Sequence, residues 1–238
     1  MMATSRDFTA KVVLITGSSS GIGAQTAVEF ARLGAQVVVT GRRKDKVFAV
    51  AKQCAEASPT GAKALVVVAD VTNEDDCRRL VSDTIKTFKK LDILVNNAGL
   101  YLVSSIWDGD ILDKYEPIMN TNLRSVVRLT HLCVEHLEKT KGNIVNMSSI
   151  GAFKPSGLLY SMSKAALDMF TKCVALELGP KGIRANVVKY ALPYVKLLGT
   201  KILCLNMDVT KAVLYLTSDD SSFVTGSNFV VDGGKQYV

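Results

Sequence analysis

A tyrosine and a lysine four residues apart, Tyr160 and Lys164, sit in the stretch LLYSMSKAAL (residues 158–167), among small and apolar residues that read as helix. Positions i and i+4 of a helix share one face, about 5–6 Å apart at Cβ. A free phenol titrates near ~10 and is a poor acid or base at neutral pH. An ammonium beside it favours the phenolate and lowers the pKa toward the range where proton transfer is efficient. The spacing therefore admits two readings: a solvated lysine beside an interfacial tyrosine, or a proton-transfer pair. The second requires the rest of the chain to supply a substrate, a cofactor and a hydrogen-bond partner for the reacting oxygen.

The elements that would position such a pair are legible as an alternation. KVVLIT (11–16), AQVVVT (35–40), KALVVVAD (63–70), LDILVNN (91–97), GNIVNMSS (142–149) and GIRANVV (182–188) are short runs, nearly all apolar, as strands buried on both faces must be. Helix-like segments lie between them, among them Gly21 to Leu33 and Asn73 to Lys89, the latter with Asn73 as N-cap and acids in the first turn. Alternating βαβ order predicts an α/β fold: a Rossmann-type, doubly wound, mainly parallel sheet with helices on both faces. No repeat, linker or low-complexity stretch divides residues 1–238, so a single domain is expected.

The first strand runs into TGSSSGIG, Thr16 to Gly23, and then into a helix. Glycines there let backbone N–H groups approach phosphate oxygens, and the helix N-terminus favours negative charge. The spacing is G-x-x-x-G-x-G, with Gly17, Ser19, Ser20, Gly21, Ile22 and Gly23 as candidate cofactor-binding residues. At the end of the second strand, NAD sites place an acid for the ribose hydroxyls, about 20 residues on. Here the chain reads VVVTGRRK, with no acid at Thr40, Gly41 or Arg42. A carboxylate would repel a 2′-phosphate, whereas Arg42 or Arg43 would hold one. NADP is therefore expected over NAD. The alternative is an Arg42 that stacks on adenine and suits either cofactor.

Composition narrows the class further. Hydrophobic residues are 48% of 238 residues, which excludes disorder for the bulk of the chain. The net charge of +7 is dispersed, and its densest cluster, GRRKDK (41–46), is short. A solvated surface or a local site for a small anion accounts for it, and no nucleic-acid partner is expected. Apolar runs are too short to span a bilayer and MMATSRDF lacks the order of a signal peptide, so no membrane partner and a cytoplasmic location are expected. Five scattered cysteines without CxxC spacing read as reduced thiols, and His131 and His136, five apart, do not form a metal pair.

Further features fall at strand ends: Asp70-Val71 after the third strand, NNAG (Asn96 to Gly99) after the fourth, Asn122 in TNL, and IVNMSS before the Tyr-x-x-x-Lys helix. Together with TGSSSGIG they strongly resemble the short-chain dehydrogenase/reductase family. The resemblance runs from about Lys11 to Arg184 and resumes from about Lys211 to Gly234, where VLYLTSDDSSFVTG and VDGG match the family's closing helix and strand. It implies an NAD(P)-dependent oxidoreductase that interconverts a carbonyl and an alcohol on a small molecule. It also implies roles: Tyr160 as acid–base residue, Lys164 lowering its pKa and holding the nicotinamide ribose, and Asn122 supporting a water relay to the lysine. A serine before the tyrosine would bind the substrate oxygen, Asn97, Ala98 and Gly99 would line the cofactor site with Val71, and Asp70 would bind adenine. Of Ser148 and Ser149, strand register favours Ser149, because burial fixes strands while loops absorb deletions. A homo-oligomer, dimer or tetramer, is also implied, through helices around 115–139 and 158–179. Leu167, Met169, Phe170, Val174 and Leu176 on the second give it more apolar positions than one buried face needs.

The chain departs from the family pattern after the sixth strand. Lys189, Tyr190 and Ala191 stand where Asn-Pro-Gly is usual, and only 16 residues, Leu192 to Met207, precede the point where the match resumes. A lid excludes water and completes a substrate pocket. The lid region 189–207 is thus expected to be short, with substrate held loosely and turnover weak. The alternative is a cofactor-binding, oligomer-forming protein with little or no turnover.

Overall fold

The structure, a computed structural model, describes residues 6–237 except 192, 193, 198, 199 and 204, and describes 194–197 and 200–203 by their backbone. The strands and helices alternate as the apolar runs require. They are β1 (Val12–Ile15), α1 (Gly21–Arg32), β2 (Gln36–Gly41), α2 (Lys44–Ala57), β3 (Leu65–Val68), α3 (Glu74–Phe88), β4 (Ile93–Asn96), α4 (Ile111–Met119), α5 (Ser125–Thr140), β5 (Asn143–Ser149), α6 (Leu158–Leu178) and β6 (Arg184–Tyr190). A short hairpin, β7 (Tyr194–Leu197) and β8 (Thr200–Leu203), then leads to α7 (Asn206–Thr217) and β9 (Asn228–Val231). Seven strands form one sheet in the order β3-β2-β1-β4-β5-β6-β9, and every pairing in it is parallel.

Both faces of the sheet are covered, which explains why its strands do not alternate polar and apolar residues. Val13 and Ile15 of β1 pack with Phe30 of α1, Val47 of α2 and Val213 of α7. Val12 and Leu14 of the same strand pack on the other face with Leu80 of α3, Leu129 of α5 and Leu178 of α6. The chain winds one way from β1 to β3 and the other way from β4 onward. The C-terminal ends of β1 and β4 therefore diverge and leave a crevice where such folds bind ligands.

Local signals hold where they were read. The Asn73 side chain accepts from the Asp76 N–H at 2.9 Å and caps α3. The helix expected around 115–139 differs: a π turn at Asn120–Arg124 separates α4 from α5. That extra residue in the turn rotates the side chains after it and aims Asn122 inward, where it is fully buried. The short lid expected over 189–207 falls in part on residues outside the described ones.

One polar network fixes α6 to the sheet. Asn96 of β4 donates from Nδ2 to Asn146 Oδ1 of β5 at 2.8 Å, and Asn146 donates to Thr171 Oγ1 of α6 at 2.8 Å. Thr171 in turn donates to the Leu167 carbonyl at 2.8 Å. Each such bond contributes about 1 kcal/mol net, but a buried group left without its partner costs about 1–3 kcal/mol, so the network specifies position more than it adds stability.

Candidate active site

The turn after β1 is shaped by two glycines. Gly17 has φ +62°, and a Cβ there would lie 2.9 Å from the Ala98 Cα, so the turn can pass against the loop after β4 only without a side chain. A Cβ on Gly23 would fall 2.4 Å from Asn97 Nδ2 and 2.6 Å from the Gly17 carbonyl oxygen. Asn97 itself donates to the Thr16 carbonyl at 2.8 Å and the Gly17 carbonyl at 3.2 Å. The Thr16 hydroxyl accepts from the Asn97 and Ala98 N–H groups at 2.9 and 3.0 Å. The ends of β1 and β4 are thereby locked together with the turn held open. Ser18, fully buried, donates to the Ile15 carbonyl at 2.8 Å and accepts from the Thr40 N–H at 2.9 Å, which ties the turn to β2.

A cleft of about 740 Å³ lies above these ends. Of the cofactor-binding candidates, Gly17, Ser19, Ser20, Arg42, Asp70, Val71, Asn97, Ala98 and Gly99 line it, and Arg43 does too. Gly21, Ile22 and Gly23 are not among its walls; they open α1 behind the turn. Arg42 and Arg43 are exposed at the end of β2. Asp70 accepts from the Thr72 N–H and hydroxyl at 2.9 and 2.8 Å through Oδ1. These donors, open backbone and cations fit an anionic dinucleotide. A second cleft of about 550 Å³ lies at the opposite strand ends, beside Asp92, Asn143 and Arg184, remote from every one of these residues. Among the described residues no cluster of His, Cys, Asp and Glu is placed to hold a metal.

Two of the other candidates, Asn122 and Lys164, gather beside Gly99 at one end of the cleft. A Cβ on Gly99 would lie 3.7 Å from Asn122 Oδ1 and 3.8 Å from Lys164 Nζ, so both side chains face that point. Lys164 is buried, donates to the Met147 carbonyl at 2.8 Å, and has its Nζ 5.7 Å from the centroid of the Tyr160 ring. Burial drives its pKa down from 10.5 to about 8, against a smaller upward pull from Asp168. Asn122 accepts from the Leu100 N–H at 2.7 Å and donates to the Leu100 carbonyl at 2.9 Å and to Ser163 Oγ at 3.0 Å. Its amide nitrogen is thus taken up, and among the described residues it makes no hydrogen bond to Lys164.

Tyr160 departs from expectation. Its pKa is raised, not lowered: burial comes first, the Ser149 hydroxyl draws it down, and Tyr101 raises it. The Lys164 ammonium meets the ring face rather than the phenol oxygen and spends a proton on a carbonyl, so it does not act as the expected counter-ion in this state. Ser149 stands next to the phenol, while Ser148 Oγ is turned to the Lys164 carbonyl at 3.4 Å. Two neighbours were not read from the sequence. Tyr101 packs edge-on against Tyr160 with ring centroids 5.1 Å apart, and Asp168 follows Lys164 one turn on. The second was visible in the stripe 160, 164, 168; the first, in a loop, carried no periodic signal.

Residues 11–198 match the family model described as short chain dehydrogenase. The chain is 42% identical over 174 residues to the 11-beta-hydroxysteroid dehydrogenase-like 4A of Arabidopsis thaliana, across 72% of this chain and 57% of that one. It thus spans little more than half of that relative's length. It is 33% identical over 256 residues to the glucose 1-dehydrogenase of Gluconobacter oxydans (strain 621H), across 95% and 92% of the two chains. The solved structure of the Caenorhabditis elegans glucose dehydrogenase in its apo form superposes with a TM-score of 0.83 at 37% identity, covering 97% of this chain and 99% of that one.

The depressed pKa of Lys164 has a thermodynamic consequence. Between about pH 8 and 10 the unfolded chain holds a proton on this lysine that the folded chain does not, so the cost of burying it shrinks as pH rises through that window. Lys164→Met is expected to stabilise the protein at pH 7 by up to about 3 kcal/mol, with most of the gain lost by pH 10. Urea unfolding of both proteins at the two pH values reads this. An equal gain at both would show that burial of charge is not its source.

Proposed function

The chain belongs to the short-chain dehydrogenase family, and on that premise we propose that it is an NADP-dependent oxidoreductase interconverting a carbonyl and an alcohol. The observation that carries the reading is the continuity of one cleft: it begins at Arg42 and Arg43, passes the glycine turn, and ends at Gly99, which Lys164 and Asn122 face. The relatives' names point to dehydrogenation of a hydroxyl-bearing small molecule, a steroid in one and glucose in another. A nicotinamide cofactor, when bound, supplies the hydride chemistry. The chain's own residues do the rest. Arg42, with Arg43 beside it, holds a 2′-phosphate; Ser19, Ser20 and the backbone from Gly17 to Gly23 hold the phosphates; Asp70 and Val71 take the adenine end. Asn97, Ala98 and Gly99 form the wall toward the reacting end. Lys164 holds ribose hydroxyls, Ser149 holds the substrate oxygen, and Tyr160 gives or takes the proton on that oxygen. Asn122 positions the Leu100 backbone and Ser163 beside this group. No helix among the described residues is long and apolar enough to cross a membrane, and we read the protein as acting in the cytoplasm.

A second reading, cofactor binding with little turnover, rests on the end of β6. Lys189 and Tyr190 continue the strand, paired with Ser148 and Ser149, and Ala191 is buried behind them. Regular strand thus runs through the first two of the positions where Asn-Pro-Gly would stand.

Assembly is read from α5 and α6. Leu167 and Val174 serve the subunit's own core, whereas Met169 is 58% and Leu176 82% exposed, with Val127 of α5 at 42%. This apolar stripe suits pairing between copies, giving a dimer or tetramer.

Calorimetric titration is expected to show NADP(H) binding at least about tenfold tighter than NAD(H), and Arg42→Asp to move the preference toward NAD. Equal affinities, or tighter NAD, would overturn the NADP assignment. With NADPH and a panel of ketones, Tyr160→Phe is expected to cut turnover by about 100-fold or more while leaving cofactor affinity nearly unchanged; a Phe variant that keeps most of the rate removes Tyr160 from the acid's role, and binding without turnover by the native chain favours the second reading. Light scattering at micromolar concentration should give a mass above one chain, and a clean monomer would refute the assembly.

A further inference from the structure

Lys189 is the last residue but one of β6, with its side chain turned into the molecule. It is 4% exposed and neighbours Ser148 of β5 in the sheet. Its Nζ lies 2.6 Å from Asp168 Oδ2 and 4.7 Å from the centroid of the Phe153 ring. Asp168, 8% exposed, stands one helical turn beyond Lys164 on the sheet-facing stripe of α6. Its other oxygen, Oδ1, has no hydrogen-bond partner among the described residues. Two buried ammonium groups thus flank one buried carboxylate. Among the described residues Lys189 is the one that binds it, while Lys164 donates to the Met147 carbonyl.

That division is not the one helix geometry favours by itself. Residues i and i+4 are neighbours, and a carboxylate in a low-dielectric interior attracts an ammonium strongly. Oδ1 is an open acceptor on the same helix as Lys164. What competes for the charge of Asp168 is the shorter ion pair from β6, a separate element of the fold. The titratable groups that face Lys164 are Tyr160 and Asp168 on α6, with Lys189 on β6 acting through Asp168; β5 turns the neutral Met147 carbonyl to it, and the loop after β4 and the π turn present Gly99 and Asn122.

We propose that Lys189 is a positioning residue: by binding Asp168 it keeps that carboxylate from capturing the Lys164 ammonium, which stays on the Met147 carbonyl and free to face the cleft. The proposal rests on the reading of Lys164 as the group that serves cofactor and Tyr160. Phe153 supports the arrangement, since its ring face stabilises the buried ammonium of Lys189 without competing for Asp168.

Lys189→Gln tests it, because glutamine keeps an N–H donor for Asp168 but removes the charge. The titration of Lys164 is read by NMR of 13Cε-labelled lysine, assigned by its loss in Lys164→Met, without any nucleotide present. The native midpoint is expected near 8. Lys189→Gln should raise it by at least about one unit, Lys189→Arg should leave it at the native value, and Asp168→Asn combined with Lys189→Gln should return it to the native value or below. NADPH affinity at pH 7 should fall in Lys189→Gln and recover in the double variant. A Lys164 midpoint unmoved by Lys189→Gln overturns the proposal even where the melting temperature drops, because the pair is then only a packing element. If Lys189→Gln does not fold, Asp168→Asn alone decides: the Lys164 midpoint must fall, and an unchanged midpoint overturns the proposal. A native chain that binds no NADPH sinks the cofactor reading instead, since the lysine titration does not involve the cofactor.

Discussion

A buried ammonium restricts everything around it, and that of Lys164 is the restriction on which this sheet edge is built. The group needs an acceptor inside the protein, and it finds the Met147 carbonyl of β5 at 2.8 Å. That contact requires α6 to lie close against β5. The Asn96–Asn146–Thr171 chain of hydrogen bonds brings it there, and the buried Asn146 Nδ2 would lose its partner if the helix shifted. The loop after β4 must also leave room, which it does by placing Gly99 at the point that Lys164 and Asn122 face. Asn122 reaches that point because the π turn rotates it inward, and it then holds the Leu100 backbone from both sides. Catalytic candidates from three separate elements, the π turn, β5 and α6, are therefore placed by one packing problem.

The same burial governs protonation. A phenol and an ammonium on one helix face suggest mutual activation, yet here both groups are dominated by desolvation, which raises the phenol's pKa and lowers that of the lysine. The two shifts favour the neutral forms of both. At neutral pH the phenol retains its proton, and in that state it is a donor and not a base. The Ser149 hydroxyl is what draws it toward ionisation, so the strand that carries the serine, and not the lysine, tunes the tyrosine in the free protein.

The sheet and half of the site were legible because their signals are local. Strands buried on both faces must be runs such as VVLI and VVVT, and the glycines after β1 and the asparagines after β4 follow directly from those runs. Tyr160 and Lys164 were legible for the same reason, being fixed to one face by the period of α6. What escaped depends on contacts between distant segments. Tyr101 meets Tyr160 only because the loop after β4 folds over the start of α6, where Leu159 donates to Ser104 Oγ. The π turn is a one-residue change of helical register that no period reveals. Ser18, absent from the cofactor candidates, bonds across to β2 as well as to the Ile15 carbonyl. The direction of the Tyr160 shift was misread because sequence spacing gives the partner's distance along the helix but not its burial.

The departure after β6 separates the two ends of the cleft. The walls that suit a dinucleotide come from the ends of β1, β2, β3 and β4 and from the loops that follow them, and none of these elements touches Lys189 in the sheet. The reacting end depends instead on β5 and β6. There the pairing Ser148↔Lys189 and Ser149↔Tyr190 carries regular strand to the last residue, and β9 continues it on the far side with Lys189↔Val230 and Tyr190↔Val231. A proline at Tyr190 would have lacked an N–H for that ladder, and a glycine at Ala191 would have freed the chain to turn. With neither present, Ser149 is flanked by a paired strand and Lys189 is drawn into the core toward Asp168. One change in sequence thus stiffens the serine's strand and inserts a charge beside the lysine's helix. It leaves the glycine turn, the arginines of β2 and the Asn97 lock as they are, because these follow β1, β2 and β4, none of which pairs with β6.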